Sequence, residues 1–333
     1  MSDKMSEVFE EYDITIHQTM RGRGATILKT NKGVLQLKGL DVNEKRLQAE
    51  YQFKEKLYEN GFFRIDRCIA NKQGELVTYD RYGNPYVMRQ FFEGKECCLT
   101  DCGDIDLAVD NLANLHMAGR KIFLDTEGEV HIRLKDDFKR RNQELKRIRQ
   151  FVGKQNAKRE FEELYINYFD YFFNQAIKCQ ERFREMNYSA TEKYIGYCHG
   201  MYNQHSILIE NTDNKKCVVD TISFDKFYIG NQLADLYHFI RKTVEKNNYD
   251  ADIMKRIIRR YGASNSLNKG DVEYIYMLYS YPEKFYKISS QYMNSPKNWI
   301  SPKMLEKLQK VVMDEEKKHI ISQELLNIFT SLL

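Results

Sequence analysis

The chain has 333 residues, which at roughly 100–200 residues per domain allows two lobes or one large domain and excludes a disulfide-held miniprotein. Its 52 Lys and Arg against 48 Asp and Glu leave a net +4, too near neutral for bulk nucleic-acid binding. With 42% hydrophobic and 13% aromatic residues, the chain has material for a packed core and is not disordered. Seven Cys, an odd number with no C-x-x-C pair, indicate reduced thiols and argue against a zinc site.

Met1 to Asp13 carries Asp3, Lys4, Glu7, Glu10 and Glu11 with no apolar core, so no secretory signal is expected there. Nowhere do about 18 apolar residues run together, so no transmembrane segment is expected either. From Thr15 the pattern becomes strand-like. Ala25–Thr30 and Val34–Lys38 flank the turn Asn31-Lys32-Gly33 and predict a hairpin. Leu47, Tyr51, Lys54, Leu57 and Tyr58 recur at helical spacing, and Asn60-Gly61 ends that helix. Glu75–Tyr79 and Tyr86–Phe92, joined by Arg81-Tyr82-Gly83-Asn84-Pro85, predict a second hairpin.

After Gly94 the periodicity changes to 3.6. Helices are predicted over Ile105–Met117, Lys135–Val152, Glu160–Arg184, Gln232–Lys246, Ala251–Tyr261 and Asp271–Tyr281. Two β-rich runs, Tyr197–Asn211 and Lys216–Phe227, are joined by Thr212-Asp213-Asn214-Lys215 and read as a hairpin set into the helical part. The expected architecture is α+β and protein-kinase-like in layout. Residues 1–94 form a small antiparallel β-sheet lobe with one helix and a hinge, and residues 95–333 a larger, mainly helical lobe.

Several short pieces carry a more specific likeness. They are Arg23-Gly24-Ala25, Leu37-Lys38, Tyr86-Val87-Met88, Phe92-Glu93-Gly94-Lys95-Glu96-Cys97, Leu112-Ala113-Asn114-Leu115-His116 and Cys198-His199-Gly200. Later come Phe224-Asp225-Lys226-Phe227, Asp235-Leu236-Tyr237-His238-Phe239-Ile240-Arg241-Lys242, Tyr281-Pro282-Glu283-Lys284-Phe285 and Asn298-Trp299. Over nearly its whole length the chain resembles the aminoglycoside phosphotransferase and choline kinase-like group, and within it the CotS family of bacterial spore coat proteins. The Asp235–Lys242 and Tyr281–Phe285 pieces are the ones particular to the coat family.

That resemblance implies a strand Lys paired with a helix Glu, an H-G-D-x-x-x-x-N loop, and a metal-binding Asp at a later strand end. Phosphoryl transfer uses these as a cation on the phosphates, a base and magnesium ligands. Lys38 matches the Lys, with Glu50 as its expected partner and Glu55 as the runner-up; Lys38, Glu50 and Met88 are the candidate nucleotide-cleft residues. The loop reads His199-Gly200-Met201-Tyr202-Asn203-Gln204-His205-Ser206, placing Met201 at the base and Ser206 at the Asn position. A thioether neither accepts a substrate proton usefully nor binds a hard cation.

For the metal Asp, the family's spacing counts back from Gly230 and Asp235-Leu236 to Ser223, whereas Asp220 resembles that strand end by eye. On one strand the two face opposite sides, three positions apart. His199, Met201, Ser206 and Ser223 are therefore degenerate catalytic positions, expected near Lys38 at a cleft, and Asp220 and Asp225 are weak metal candidates.

Three readings follow: a non-catalytic coat or assembly platform, which the substitutions favour; an active ATP-dependent small-molecule phosphotransferase; and a nucleotide-binding regulator without transfer. On the first, no cofactor is required, ATP binds weakly if at all, and magnesium adds little. The partners are other spore coat proteins rather than nucleic acid, and the location is the mother-cell cytoplasm and then the coat. Arg133 to Arg159 adds a basic amphipathic helix with 11 Lys or Arg against three acids, either a solvated face or a dock for an acidic partner or membrane surface. Tyrosine, at 23 residues, exceeds the 19 Phe, and core packing accounts for most of it.

Overall fold

The computed structural model describes residues 5–22, 24–124, 126–186, 192–211, 217–295 and 301–331. The chain divides into two compact units, the first made of Met1–His131, Gly196–Ile229 and Ala263–Asn265, the second of Ile132–Ile195, Gly230–Gly262 and Ser266–Leu333. The division differs from the expected cut at Gly94, because the first unit keeps the helix after the hinge and takes back the later hairpin.

The first unit begins with a short helix, α1 (Ser6–Glu10). Strands β1 (Ile16–Gly22), β2 (Ala25–Thr30) and β3 (Gly33–Gly39) lead to helix α2 (Glu44–Glu59), and β4 (Cys68–Ile69), β5 (Thr78–Tyr79) and β6 (Pro85–Gln90) follow. The sheet order is β1-β2-β3-β6-β4, with β5 also on β6, and all pairs are antiparallel. The β2–β3 turn closes at Gly33, whose φ of 95° lies in the left-handed region.

Strand alternation sorts this sheet into two faces. Leu37 lies opposite Met88, and together with Leu28 and Leu35 they pack against Val8 and Tyr12 of the N-terminal segment. A helix as short as α1 has no period to read in the sequence, yet it buries Val8 completely. On the other face Lys38 lies opposite Val87, and Val87 clusters with Leu47 of α2.

Helix α2 starts at Asn43, whose Oδ1 accepts from the Arg46 amide at 2.8 Å, and buries Leu47, Glu50, Phe53, Lys54 and Leu57. Next come β7 (Lys95–Glu96) and helix α3 (Cys102–Gly119), capped by the Asp101 side chain on the Asp104 amide. Strands β8 (Ile195–Cys198), β9 (Ile207–Asn211), β10 (Cys217–Thr221) and β11 (Tyr228–Asn231) complete the strand set. β10, β9 and β7 form one small sheet, and β11 pairs β8. The expected hairpin is thus β9–β10, with Asn211 opposite Cys217, but it is shorter than the run suggested because residues 199–206 form a loop.

The second unit holds helices α4 (Leu134–Gly153), α5 (Glu160–Glu185), α6 (Leu233–Lys246), α7 (Ala251–Ser264), α8 (Lys269–Ser280), α9 (Glu283–Asn294), α10 (Pro302–Met313) and α11 (Glu315–Ser331). Its core is aromatic. Phe285 stacks on Phe172 at 4.5 Å and on Tyr165 at 5.2 Å between centroids, and Phe138 stacks on Tyr281 at 4.5 Å. The two coat-type sequence pieces meet here: Tyr237 donates to Glu283 at 2.9 Å, and Arg241 lies 3.6 Å from the same carboxylate. Asn298-Trp299 lies outside the described residues, as do Arg23 and the connection expected at Thr212-Asp213-Asn214-Lys215.

Candidate functional site

Two aromatic anchors position the segment after β10. The 3₁₀ turn Phe224–Lys226 and the following Phe227 dock on α2 through Phe53, whose ring stacks on Phe227 at 5.2 Å and meets Phe224 edge-on at 5.9 Å. Arg46 lies over the Phe227 ring at 3.7 Å from its centroid and donates to the Phe227 carbonyl. This clamp fixes Asp225 within the turn.

Asp225 then meets the strand cations. Its Oδ2 lies 2.8 Å from Lys38 Nζ and its Oδ1 3.3 Å from Arg89 Nη2. Arg89, on the same face of β6 as Val87, continues to Glu50 at 3.2 Å. Glu50 reaches Lys54 at 2.5 Å, and Lys54 donates to the Asp66 carbonyl at 2.9 Å and forms an ion pair with Asp66 Oδ1 at 2.9 Å. Asp66 Oδ2 accepts from the Ser223 amide at 2.9 Å. Lys38, Arg89 and Lys54 thus alternate with Asp225, Glu50 and Asp66 in one chain of contacts, and burial pushes the Asp66 carboxyl up against the pull of Lys54 and Arg89.

The electrostatics follow from that alternation. Burial opposes the charge on Asp225, but Arg89 and Lys38 outweigh it and hold its carboxyl below the usual range. Burial likewise works against Glu50, and Lys54 and Arg89 overcome it. Burial lowers the affinity of Lys54 and Arg89 for their protons, yet the surrounding carboxylates leave both firmly cationic.

Two expected assignments are corrected here. Glu50 does not pair with Lys38, because the helix turns it toward Lys54 one turn on and toward Arg89; Glu55, the runner-up, is held bidentately by Arg67. Met88 is no cleft residue on the Lys38 side, since it faces Leu37 and the Val8–Tyr12 core on the opposite face of the sheet. Lys54, Asp66 and Arg89 are the functional neighbours that sequence reasoning missed. The Glu50/Lys54 spacing of four on the apolar side of a helix was a readable signal, and the two-residue step from Val87 to Arg89 another. Asp66, in a loop, carried none.

The loop from His199 is tied to the same segment by backbone bonds. His199 Nε2 donates to the Ile222 carbonyl at 3.0 Å while its Nδ1 accepts from the Met201 amide at 3.2 Å, a pattern that fixes the neutral tautomer. The ring is 1% exposed and packs on Phe224 at 4.5 Å. Gly200 has φ 81°, and a Cβ there would lie 2.0 Å from the Lys226 carbonyl oxygen, so only glycine fits. Met201 is half exposed. Ser206 is buried, and its hydroxyl contacts the Asn203 carbonyl at 2.9 Å and the Met201 carbonyl at 3.1 Å.

Tyr202 anchors the loop on α3, donating to the Ala108 carbonyl at 2.6 Å. Ser223 sits just before the 3₁₀ turn with φ 68°, a left-handed conformation in a non-glycine residue. Asp220 is elsewhere: fully buried on β10, it faces Arg64 at 2.5 Å, and burial pushes its carboxyl up to about 6 against that guanidinium. Among the described residues no three His, Cys, Asp or Glu side chains gather as a metal set.

An antiparallel sheet bearing a strand lysine, a helix with a buried glutamate, and a His-Gly loop bonded to the end of a later strand define the protein-kinase-like fold, α+β in class. Solved structures agree with that class. An aminoglycoside phosphotransferase from Alicyclobacillus acidocaldarius matches with TM-score 0.77 and 16% identity over 97% of this chain and 95% of that one. Spectinomycin phosphotransferase APH(9)-Ia, in complex with ADP and spectinomycin, matches with TM-score 0.63 and 13% identity over 96% and 97%. Plasmodium vivax ethanolamine kinase matches with TM-score 0.55 and 13% identity over 100% and 86%.

At these identities the likeness is one of fold. The particular assignment comes from sequence: the chain belongs to the CotS-like family described as "Spore coat putative kinase YutH", which matches residues 5–324. No curated protein matches the sequence.

Proposed function

We propose that this protein is a spore coat component or coat-assembly factor that uses the kinase-like fold as a binding platform and transfers no phosphate. The observation that carries this reading is the Lys38–Asp225 pair at 2.8 Å: the cation expected to meet a nucleotide phosphate is held by a carboxylate of the chain itself. Phosphoryl transfer needs a base and hard oxygen ligands for magnesium. Met201 offers a thioether at the base position, the Ser206 hydroxyl is spent on loop carbonyls, and Asp220 is bound by Arg64. These residues do not fit a magnesium–nucleotide complex. Other coat proteins are the proposed partners, with synthesis in the mother-cell cytoplasm and residence in the coat.

One observation favours the alternative of an active phosphotransferase. Asp225 is a carboxylate beside Lys38, and a cation displacing Lys38 and Arg89 from it would gain a ligand. Incorporation into the coat separates the readings. A Lys38→Met variant with wild-type thermal stability is expected in purified coats at the wild-type level. Loss of incorporation by that folded variant would overturn the platform reading.

A further inference from the structure

Helix α4 turns its apolar residues Phe138, Leu145, Ile148 and Val152 inward. Its outer side carries Lys135, Lys139, Lys146 and Arg147, and the C-cap residue Lys154 follows on the same side, all exposed. At 100° per residue these five fall within about a third of the helix circumference, along a strip of roughly 28 Å. Among the described residues none of the five forms an ion pair, and Lys146 makes only a ring contact with Phe173. Two of the three acids of α4 are turned away: Asp137 binds Arg140 and Arg141 at 2.5 Å each, and Glu144 accepts from Tyr286 and Ser290 at 2.7 Å each. Only Asp136 shares the outer side.

The solvent face of α4 thus concentrates positive charge that the chain leaves uncompensated, and we infer that it docks a carboxylate-rich segment of a partner protein. The geometry selects that occupant. An interfacial membrane helix buries an apolar face in the lipid, whereas the apolar face of α4 is already buried and its outer face offers only Lys, Arg, Gln, Asp and Gly. Single-stranded nucleic acid is read by aromatic platforms, and the exposed residues of α4 include no aromatic ring. Lys135 and Lys139 are spaced about 6 Å along the axis, and the steps Lys139–Lys146 and Arg147–Lys154 about 10.5 Å, so a run of cations extends along the strip that an extended carboxylate-rich segment can follow. This inference names a partner chemistry for the platform and does not depend on whether the Lys38 region binds nucleotide.

The test titrates the full chain with a fluorescein-labelled oligo-glutamate peptide by anisotropy. A Lys135→Glu, Lys139→Glu, Lys146→Glu, Arg147→Glu variant is compared with a Lys303→Glu, Lys307→Glu, Lys310→Glu variant, which reverses exposed lysines on α10. The α4 variant is expected to weaken binding by at least about tenfold and the α10 variant by less than about twofold, with the difference shrinking at high salt. Equal effects of the two variants, or none, would overturn the inference. Tighter α4-dependent binding to phosphatidylserine vesicles or duplex DNA than to the peptide would overturn it in favour of those ligands. The same four positions changed to Gln, which disturb the fold less, must reproduce the direction.

Discussion

Asp225 faces a cation with each of its oxygens, and that arrangement makes it a reporter of the whole ion chain. Its carboxyl is held below the ordinary value near 4, so its contribution to stability is complete above that pH and is lost as pH falls through the lowered value. Urea midpoints of wild type and Asp225→Asn should therefore differ at pH 6, and the difference should shrink as the pH is taken below the ordinary carboxyl range. Asp220 has the opposite sign. With its carboxyl pushed up to about 6, the folded state holds more protons than the unfolded one between about pH 4 and 6, and stability falls as pH rises through that window.

Glu50 is 1% exposed between Lys54 and Arg89, so Glu50→Gln should cost about 3–5 kcal/mol by leaving buried positive charge uncompensated, as chemical denaturation will measure. At this scale the sequence was only partly legible. Lys38 and Asp225 were both singled out, but their pairing joins residues 187 positions apart, and no local pattern encodes a contact of that span.

Elements were far more readable, because their signals are local. Helix α2 was legible from its period and its Asn60-Gly61 stop, and the β2–β3 hairpin from Asn31-Lys32-Gly33. Helix α1 was not, since five residues with one buried apolar side chain carry no period, and its burial comes from the sheet face it covers. Helix α9 was hidden because Tyr281-Pro282 marks both the end of α8 and the start of the next helix. The His199 loop depends on one glycine more than on any polar residue. A Gly200→Ala change meets both a left-handed backbone and the Lys226 carbonyl, so a loss exceeding about 2 kcal/mol is expected in the urea midpoint. A change within experimental error would show that the loop can move away from the turn.

Across the whole molecule, the coat-type motifs and the degenerate catalytic positions lie in different compact units. Tyr237, Arg241 and Glu283 build the interior of the second unit, where Phe285→Ala should cost about 3–5 kcal/mol by removing the ring between Phe172 and Tyr165. Met201, Ser206, Ser223 and Asp225 belong to the first. That separation fits a protein in which the fold is retained while the chemistry of the Lys38 region is free to change. On the platform reading proposed above, Asp225 and the His199 loop leave no place for a magnesium–nucleotide complex. Calorimetric titration of the full chain with ATP, with and without magnesium, tests it most directly: weak or absent binding that magnesium leaves unchanged is the predicted result, and a strong magnesium-dependent gain in affinity that Asp225→Asn abolishes would contradict it.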